Sequence, residues 1–429
     1  MKRLIHSALV LGLTAAGVSQ AYGYSFLERL YGTPQLGLSA RSRGMGGAGA
    51  ALGNGAYSLV DNPGALILSR GTRLQLLGAG SRASENRFVP LFDTFDSFVD
   101  EFAIAVNDKG YASVLGGIVL DEWGENSVIV SAGVFDRYDA RYNYWDERRT
   151  TLTSDEVINN LVIDTQGIIR SATLGAAYPI KGGHGFGAAV NYYFVDYKDR
   201  SAIVAQDPGS DEGEVILGRS VEGWSLTFGQ VATVSERLQL GVTVETKPQL
   251  GDDYSVRVDG VEMGVETSSG DLEYPLRVQG GGTYRPRNDL KTTFAADVVW
   301  MGWGDLEESI PEDVWAAADR GQYPPVSLRD TWEVRFGLEH LFYNGLPARI
   351  GFRYGETYAL EEADRVTFTF GFGYVMDKLA LDLAGEVTKR NSRQEPLRPR
   401  DEQGPYVGAG RDRVEDTLLV VTIGASYAF

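Results

Sequence analysis

Few side chains in this 429-residue sequence are placed to catalyse a reaction. The three histidines are His6, His184 and His340. His184 follows two glycines in a predicted turn and His340 lies near the end of a predicted strand, so neither has an evident serine or carboxylate partner for nucleophilic catalysis. His6 falls in an N-terminal segment that is expected to be removed. The sequence therefore predicts that the protein is not an enzyme.

Ligand-binding motifs are equally sparse. The acidic pairs Asp252–Asp253 and Glu307–Glu308 could bind calcium weakly, but their spacing does not resemble a dedicated calcium loop. The glycine-rich run 44–49 has neither a preceding strand nor a following lysine, so it does not indicate phosphate binding. The chain has no cysteine, which excludes disulfides and thiolate metal sites. We expect neither a cofactor nor a metal site.

One group of charged side chains has a spacing that could recognise a ligand. Glu333, Arg335 and Glu339 share one face of a predicted strand, and Arg349 and Arg353 neighbour them on the next. Two strands further on, the same face carries Asp382 and Glu386. An arginine can hold a carboxylate through two donors, so these rows could steer an acidic headgroup. The alternative is that the charges pair with one another inside a narrow barrel.

The last residues of the sequence indicate that the charged residues above lie on β-strands with two different faces. In residues 417–429, alternate positions from Leu419 to Phe429 form an apolar face that ends in two aromatic residues, and the other face is mostly small or polar. This resembles the C-terminal signature of bacterial outer-membrane barrels, which implies that Tyr427 and Phe429 form the signal for the barrel-assembly machinery.

The same two-faced alternation recurs along most of the chain and predicts an all-β protein. In 366–374 one face is Val, Phe, Phe, Phe and Tyr, and the other is only Thr and Gly, which favours a confined lumen over bulk water. About fifteen segments alternate in this way, whereas bacterial barrels have an even number of strands. We predict an antiparallel transmembrane β-barrel of about 14 strands and expect the surplus near residues 101–120. The segments are 72–82, 101–106, 111–120, 127–142, 167–178, 185–197, 223–234, 238–246, 275–284, 291–303, 331–342, 348–358, 365–376, 379–388 and 417–429.

The connections alternate between short and long, which predicts the orientation. Short turns, such as 235–237 and 377–378, belong on the periplasmic side, and long loops, such as 143–166 and 391–415, belong outside. Residues 1–21 have a basic start, an apolar run and a small-residue end, as a secretory signal peptide does. The formal charge of −18 makes nucleic acid a poor partner. We therefore predict a protein of the Gram-negative cell outer membrane, surrounded by outer-membrane lipid.

Two regions depart from the strand pattern. Residues 22–70 are dominated by small residues with scattered apolar ones and predict a plug inside the barrel, which is formed by residues 71–429. Three loops have helical patterns, within 83–100, at 157–162 and from Ile310 to Trp315. The first could form a landing groove for a hydrophobic solute, or its apolar face could simply cover the barrel. Its apolar residues are Phe88, Leu91, Phe92, Phe95, Phe98 and Val99.

Several short motifs add a family resemblance over essentially the whole mature chain. They are Arg43-Gly-Met-Gly-Gly-Ala48, Asp61-Asn-Pro-Gly-Ala-Leu66, Tyr274-Pro275, Gly282-Thr-Tyr-Arg-Pro286 and the stretch 297–303. The chain resembles the FadL-type outer-membrane barrels, which transport long-chain fatty acids and hydrocarbons, including their PorV-like relatives. The family pattern Asn-Pro-Ala appears here as Asn62-Pro63-Gly64, with an alanine one place later.

The resemblance implies an N-terminal hatch that blocks a 14-strand barrel. Its hatch or gate residues would be Arg41, Met45, Gly46, Gly47, Asn62, Pro63 and Gly64. The implied function is passive uptake of hydrophobic small molecules. The run Met45-Gly-Gly-Ala48 is closer to the PorV-like branch, so the alternative is a scaffold or secretion component that binds partner proteins.

Overall fold

The computed structural model describes residues 25–93, 95, 97–121, 127–149, 156–180, 182–206, 212–259, 261–286, 291–308, 328–397 and 410–429. The predicted signal peptide and the helix predicted at 310–315 lie outside these residues. Within them, no helix is both long and apolar enough to cross a membrane.

Fourteen antiparallel strands form a closed barrel. The first strand, Arg73–Phe92, pairs with the last, Asp412–Ala428, from Arg73↔Ala428 to Phe88↔Arg413. The strand number confirms the prediction, because the segments 101–106 and 111–120 belong to one strand, Phe98–Leu120. The strands are β1 Arg73–Phe92, β2 Phe98–Leu120, β3 Ile129–Asp139, β4 Ile168–Ile180, β5 His184–Ala205, β6 Gly213–Ser235, β7 Leu238–Glu245, β8 Arg277–Tyr284, β9 Thr292–Met301, β10 Thr331–Leu341, β11 Pro347–Gly355, β12 Arg365–Met376, β13 Leu379–Gln394 and β14 Asp412–Ala428.

The barrel has an apolar outside and a small or polar inside, as the alternation predicts. On β12, Phe368 is 62% exposed on the outer face, while its neighbour Thr367 is 1% exposed on the inner face. Outward aromatic residues cluster near both ends of the wall, for example Tyr192 and Trp224 at one end and Tyr374 and Tyr427 at the other. Such girdles lie at the two interfaces of a membrane. The protein is a multi-pass transmembrane β-barrel.

Two β-hairpins extend the wall on the side of the long loops. One consists of Tyr142–Arg149 and Val157–Gln166, and the other of Gln249–Val258 and Val261–Glu273. One strand of each hairpin pairs with a barrel strand: residues 159–166 pair with β5, and residues 249–258 pair with β6. The hairpins therefore continue the β-sheet of the wall. A short 3₁₀ turn, Trp303–Asp305, and a two-residue strand, Glu307–Glu308, follow β9.

Two predicted loop helices are wrong. Residues 157–162 belong to a strand of the first hairpin, and residues 88–92 and 98–99 belong to β1 and β2. The β1–β2 ladder contains two register shifts, at Arg87/Phe88 and at Leu91/Phe92. Each bulge changes the phase of the alternation, so the apolar residues fall at spacings that imitate a helix.

Residues 25–70 lie inside the barrel, and we call them the plug. It consists of short turns and helices because its many small residues let the chain reverse within a few positions. Ser39 caps α1 (Ala40–Gly44), and α2 (Ser58–Asp61) leads into the 3₁₀ helix Pro63–Leu68, which is capped by the Asn62 side chain. The remaining turns are Phe26–Glu28 and Gly55–Tyr57.

The wall is interrupted at one place in the described strands. The β2–β3 ladder covers only five residue pairs, from Gly116↔Val134 to Leu120↔Val130. Beyond Val134 the free edge of β3 pairs with the plug instead, at Thr33↔Asp139 and Pro34↔Tyr138. The Gln35 amide extends this contact by donating to the Arg137 carbonyl at 2.8 Å. Along its length, β3 therefore pairs first with β2 and then with residues 33–34 of the plug.

Candidate functional site

The inward glycines of the wall make room for the plug backbone. A Cβ atom at Gly351 would lie 2.1 Å from the Gly46 nitrogen, and one at Gly337 would lie 2.5 Å from the Met45 carbonyl oxygen. At Gly241 the corresponding distance to the Ala50 oxygen is 1.9 Å. Since no side chain fits at these distances, the small inner rows serve as a docking surface for the plug.

The Asn62-Pro63-Gly64 motif lies against the part of this surface that β5, β6 and β7 form. The Asn62 amide nitrogen donates to the carbonyls of Ala50 at 2.6 Å and Gln230 at 2.9 Å, and its Oδ1 accepts from the Gly64 amide. A Cβ at Gly64 would lie 2.7 Å from the Gly229 oxygen. The alanine of the family pattern therefore has no room here, which gives a physical reason for the glycine.

Two buried carboxylates hold plug loops through backbone amides. Asp297, on β9, accepts from the amides of Gly49 at 2.7 Å and Ala50 at 2.9 Å. Within the plug, Asp61 accepts from the Gly37 amide at 3.1 Å. Such charge-assisted bonds fix the path of a loop that has little side-chain volume of its own.

The predicted gate and lumen charges are joined in ion pairs. Arg41 binds Glu339 through two nitrogens, at 2.6 and 2.9 Å. Arg349 bridges Glu339 and Asp382 at 2.7 and 2.6 Å. The structure thus links the plug to residues of β10, β11 and β13.

The remaining lumen arginines are also paired. Arg335 binds Glu333 at 2.6 Å and donates to the Gly47 carbonyl at 3.0 Å. Arg353 binds Glu386 at 3.0 Å, and Arg43 of the plug binds the same carboxylate at 3.3 Å. The pairing interpretation of the charged rows fits this geometry better than a free carboxylate site.

The start of the plug, residues 25–36, forms an arm that tyrosines of the wall hold by its carbonyl groups. Tyr274 donates to the Tyr31 carbonyl at 2.7 Å, Tyr197 to the Arg29 carbonyl at 3.1 Å, and Tyr358 to the Gly32 carbonyl at 3.2 Å. These contacts come from three widely separated parts of the sequence. The arm is therefore held in place by hydrogen bonds from three separate segments of the chain.

Glu28 anchors the arm electrostatically. Its carboxylate lies 3.4 Å from Arg390 and 3.6 Å from Arg365. Burial raises the pKa of the Glu28 carboxyl, but these two guanidinium groups outweigh burial and hold that pKa below its usual range. The carboxylate therefore stays charged at neutral pH.

Tyr31 projects from the arm into a cage of aromatic side chains. Trp303 stacks on Tyr358 with ring centroids 4.0 Å apart, and Tyr138 lies 4.5 Å from Tyr274. The Tyr31 ring meets Tyr358 edge-on at 6.5 Å, and burial raises the pKa of its hydroxyl, which lies beside Glu308. The sequence analysis did not single out this cage, whose members come from distant segments. Two of the family motifs contain members of it, Tyr274-Pro275 and the stretch 297–303, which ends at Trp303.

A small cavity lies beside the arm. A polar cavity of about 40 Å³ lies between residues 33–36 and the inner faces of β10 to β13, which is room for a few water molecules. Among the described residues, no cluster of three or more histidine, aspartate or glutamate side chains could hold a metal ion. Among the described residues, the plug occupies the lumen and the chain's own Tyr31 fills the apolar cage.

Solved structures share this arrangement of strands. A crystal structure of a Pseudomonas aeruginosa FadL homologue aligns with 93% of this chain and 99% of its own, with a TM-score of 0.63 and 16% sequence identity. The Pseudomonas putida toluene transporter TodX aligns with 92% and 99%, with a TM-score of 0.62 and 16% identity. The chain has the FadL-type fold. The Ralstonia pickettii toluene transporter TbuX agrees, with coverage of 91% and 98%, a TM-score of 0.59 and 16% identity. No protein-family model and no curated protein sequence matches the chain.

Within this FadL-type fold, the predicted loop-groove residues do not form a helical groove. Phe92 and Phe98 meet edge-on at 6.1 Å near the tip of the β1–β2 hairpin, and Phe95 is 86% exposed there. Phe88 lies under the Arg413 guanidinium, 4.0 Å from its ring centroid, and Leu91 pairs with Asp100. These residues line two strands that extend beyond the wall.

The predicted assembly-signal residues lie at the opposite end of the FadL-type barrel. Tyr427 and Phe429 are 44% and 56% exposed on the outer face and contact each other edge-on at 5.3 Å. The Phe429 amide donates to the Thr72 carbonyl at 3.0 Å. Both side chains are thus accessible beside the seam between β14 and β1, and their role in assembly stays a prediction.

Proposed function

We propose that the protein is an outer-membrane channel for the passive uptake of hydrophobic small molecules, and that the plug is its hatch. The observation that carries this proposal is the aromatic cage. It is a lumenal site with the right chemistry for an apolar solute, and the resting protein fills it with Tyr31. The fold shared with two toluene transporters supports the same interpretation.

The charges of the lumen favour an uncharged solute. Arg335, Arg349 and Arg353 each bind an acidic side chain of the wall. A fatty-acid carboxylate would have to displace one of these partners, and breaking a buried pair is costly. A hydrocarbon needs only apolar surface, so we propose hydrocarbons as the substrate class.

One movement would open the cage and the wall together. The arm that carries Tyr31 into the cage also pairs with the free edge of β3 through Thr33 and Pro34. Withdrawal of the arm would empty the cage and uncover the interruption between β2 and β3. A solute could then leave the lumen through the wall without passing the docked remainder of the plug.

A reversible lock of the arm tests this route. Thr33 and Asp139 are direct antiparallel partners, and such partners have Cα atoms about 4.5 to 5.5 Å apart, which suits a disulfide. The chain has no other cysteine. In a Thr33→Cys, Asp139→Cys variant, oxidation should reduce uptake of radiolabelled toluene to the level of cells without the protein, and reduction should restore it.

The two single-cysteine variants are the matched controls and should respond to neither treatment. Equal uptake by the oxidised and reduced double variant would show that the arm is not the gate. Equal uptake by cells with and without the wild-type protein would contradict transport itself.

The closed lumen favours one other candidate. Because the plug fills the barrel and the cavity beside the arm is small and polar, the protein could serve as a PorV-like scaffold that binds partner proteins and transports nothing. In that case toluene uptake would not depend on the protein, and partner proteins would co-purify with the oxidised double variant as well as with the wild type.

A further inference from the structure

The outer surface of the barrel carries an apolar groove that the plugged lumen does not explain. It lies across β7 to β12 and has a volume of about 780 Å³. Its floor includes two small outward residues, Gly282 on β8 and Ala296 on β9, and Gly280 continues the same face of β8 beyond Gly282. A Cβ atom at Gly280 would meet nothing within 4 Å, so this part of the wall has space outside it.

Large apolar side chains border this floor on both sides. In register across the strands, Leu240 pairs with Gly282, Gly282 with Ala296, and Ala296 with Phe336. Leu240 and Phe336 are 46% and 51% exposed. The result is a recess between two apolar ridges on a surface that faces the membrane core. An acyl chain is the membrane component that fills such a recess without leaving polar groups unpaired.

Basic side chains gather where the groove reaches the short-turn end of the barrel. Arg237 lies in the turn between β6 and β7, and Arg285 and Lys291 flank the connection between β8 and β9; all three are exposed. The turns are joined, because the Arg285 amide donates to the Arg237 carbonyl at 2.8 Å and Arg237 donates to the Pro286 carbonyl at 3.2 Å. Among the described residues of these two turns, Glu236 offsets one of the three charges, in a chain whose formal charge is −18.

We propose that this groove binds one anionic phospholipid. Its acyl chain lies over Gly280, Gly282 and Ala296, and its phosphate contacts Arg237, Arg285 and Lys291. The charge complementarity at one end and the apolar recess behind it identify the occupant as a lipid with a negatively charged headgroup. The inference rests on the orientation of the barrel, with its short turns at the periplasmic leaflet, and does not depend on transport.

Native mass spectrometry of the full-length mature protein in detergent tests the proposal. The protein is titrated with phosphatidylglycerol and, separately, with phosphatidylcholine of the same acyl chains. We expect phosphatidylglycerol to bind at a concentration about tenfold lower, since several basic residues act on one headgroup. Equal apparent Kd values for the two lipids would overturn the proposal.

Two kinds of variant separate the headgroup from the groove. Arg237→Gln with Arg285→Gln should reduce the preference for phosphatidylglycerol to less than about twofold, because the attraction of each basic residue is lost. Ala296→Phe fills the recess and should weaken the binding of both lipids. Gly280→Leu repeats that test at a position where the added Cβ has open space, in case the first variant fails to fold.

Matched controls lie elsewhere on the same barrel. Ala172→Phe adds the same bulk to an exposed position on β4, and Lys378→Gln removes a cation from another short turn. Both should bind the two lipids as the wild type does. If the groove variants also bind like the wild type, the lipid lies elsewhere and the assignment is wrong.

Discussion

At the residue scale, the aromatic cage combines Tyr31 of the plug with side chains that lie far from it in the sequence. Tyr31 is 8% exposed, and Trp303, whose ring lies 5.8 Å from that of Tyr274, is completely buried. Tyr31 lies more than 200 positions before the other two residues, and no local spacing connects it with them. The charges 333–353 could be predicted because a hairpin brings alternating positions together, whereas the cage depends on how the arm folds back into the lumen.

Replacement of Tyr31 by alanine should leave a vacant aromatic cage. We expect the free energy of unfolding to fall by roughly 3 kcal/mol, as for other large-to-small changes at buried positions. Added p-cresol, which has the shape of a tyrosine side chain, should bind the vacancy and restore much of that stability. Urea titration followed by tryptophan fluorescence measures both effects.

Tyr31→Phe is the control for this experiment, because it keeps the ring and removes only the hydroxyl. It should stay close to wild-type stability and gain nothing from p-cresol. A Tyr31→Ala protein that is as stable as the wild type, or that ignores p-cresol, would show that the cage is not a ligand-sized apolar site.

At the element scale, regular alternation was predictable and its interruptions were not. The strands from β7 to β14 match the predicted segments closely because their hydrogen-bond ladders continue with few register shifts. The β1–β2 hairpin was misread because two bulges change its phase. The first outer hairpin was misread at 157–162 because a short apolar run fits a strand and a helix equally well.

The corrected hairpin changes what is expected of its phenylalanines. Phe92→Ser with Phe95→Ser alters two residues near an extended tip rather than a helical groove. We therefore expect the uptake of toluene to stay at the wild-type rate, measured in cells with equal amounts of folded protein. A marked loss of uptake would instead support the hypothesis that these residues bind the solute.

At the scale of the whole molecule, the barrel strands surround the plug, residues 25–70. The structure confirms the strand number that the sequence predicted, while the orientation of the barrel and the bounds 22–70 for a plug stay predictions. The sequence did not predict how closely the plug packs against the wall, because a high glycine content looks the same whether the glycines lie in the wall or in the plug. Only their juxtaposition, as at Gly351 and Gly46, shows that one makes room for the other.

Deletion of residues 25–70 should turn the closed protein into a water-filled pore. The inner wall would then present glycine, threonine and charged side chains to water, as a porin lumen does. In planar bilayers we expect step conductances from the deletion variant and none from the wild type. A folded deletion variant that stays electrically silent would contradict the view that the plug closes the barrel.

The plug also determines the order in which the molecule can be built. Arg43 of α1 donates to Thr422, 379 positions further along the chain, and Arg41 binds Glu339, 298 positions away. Contacts between such distant positions form late, because a very long loop must close before they contribute. The plug precedes the barrel strands in the sequence, but its contacts with them form late. A closed barrel would hinder entry of the plug, so we expect the β14–β1 seam to form only after the plug lies between the strands.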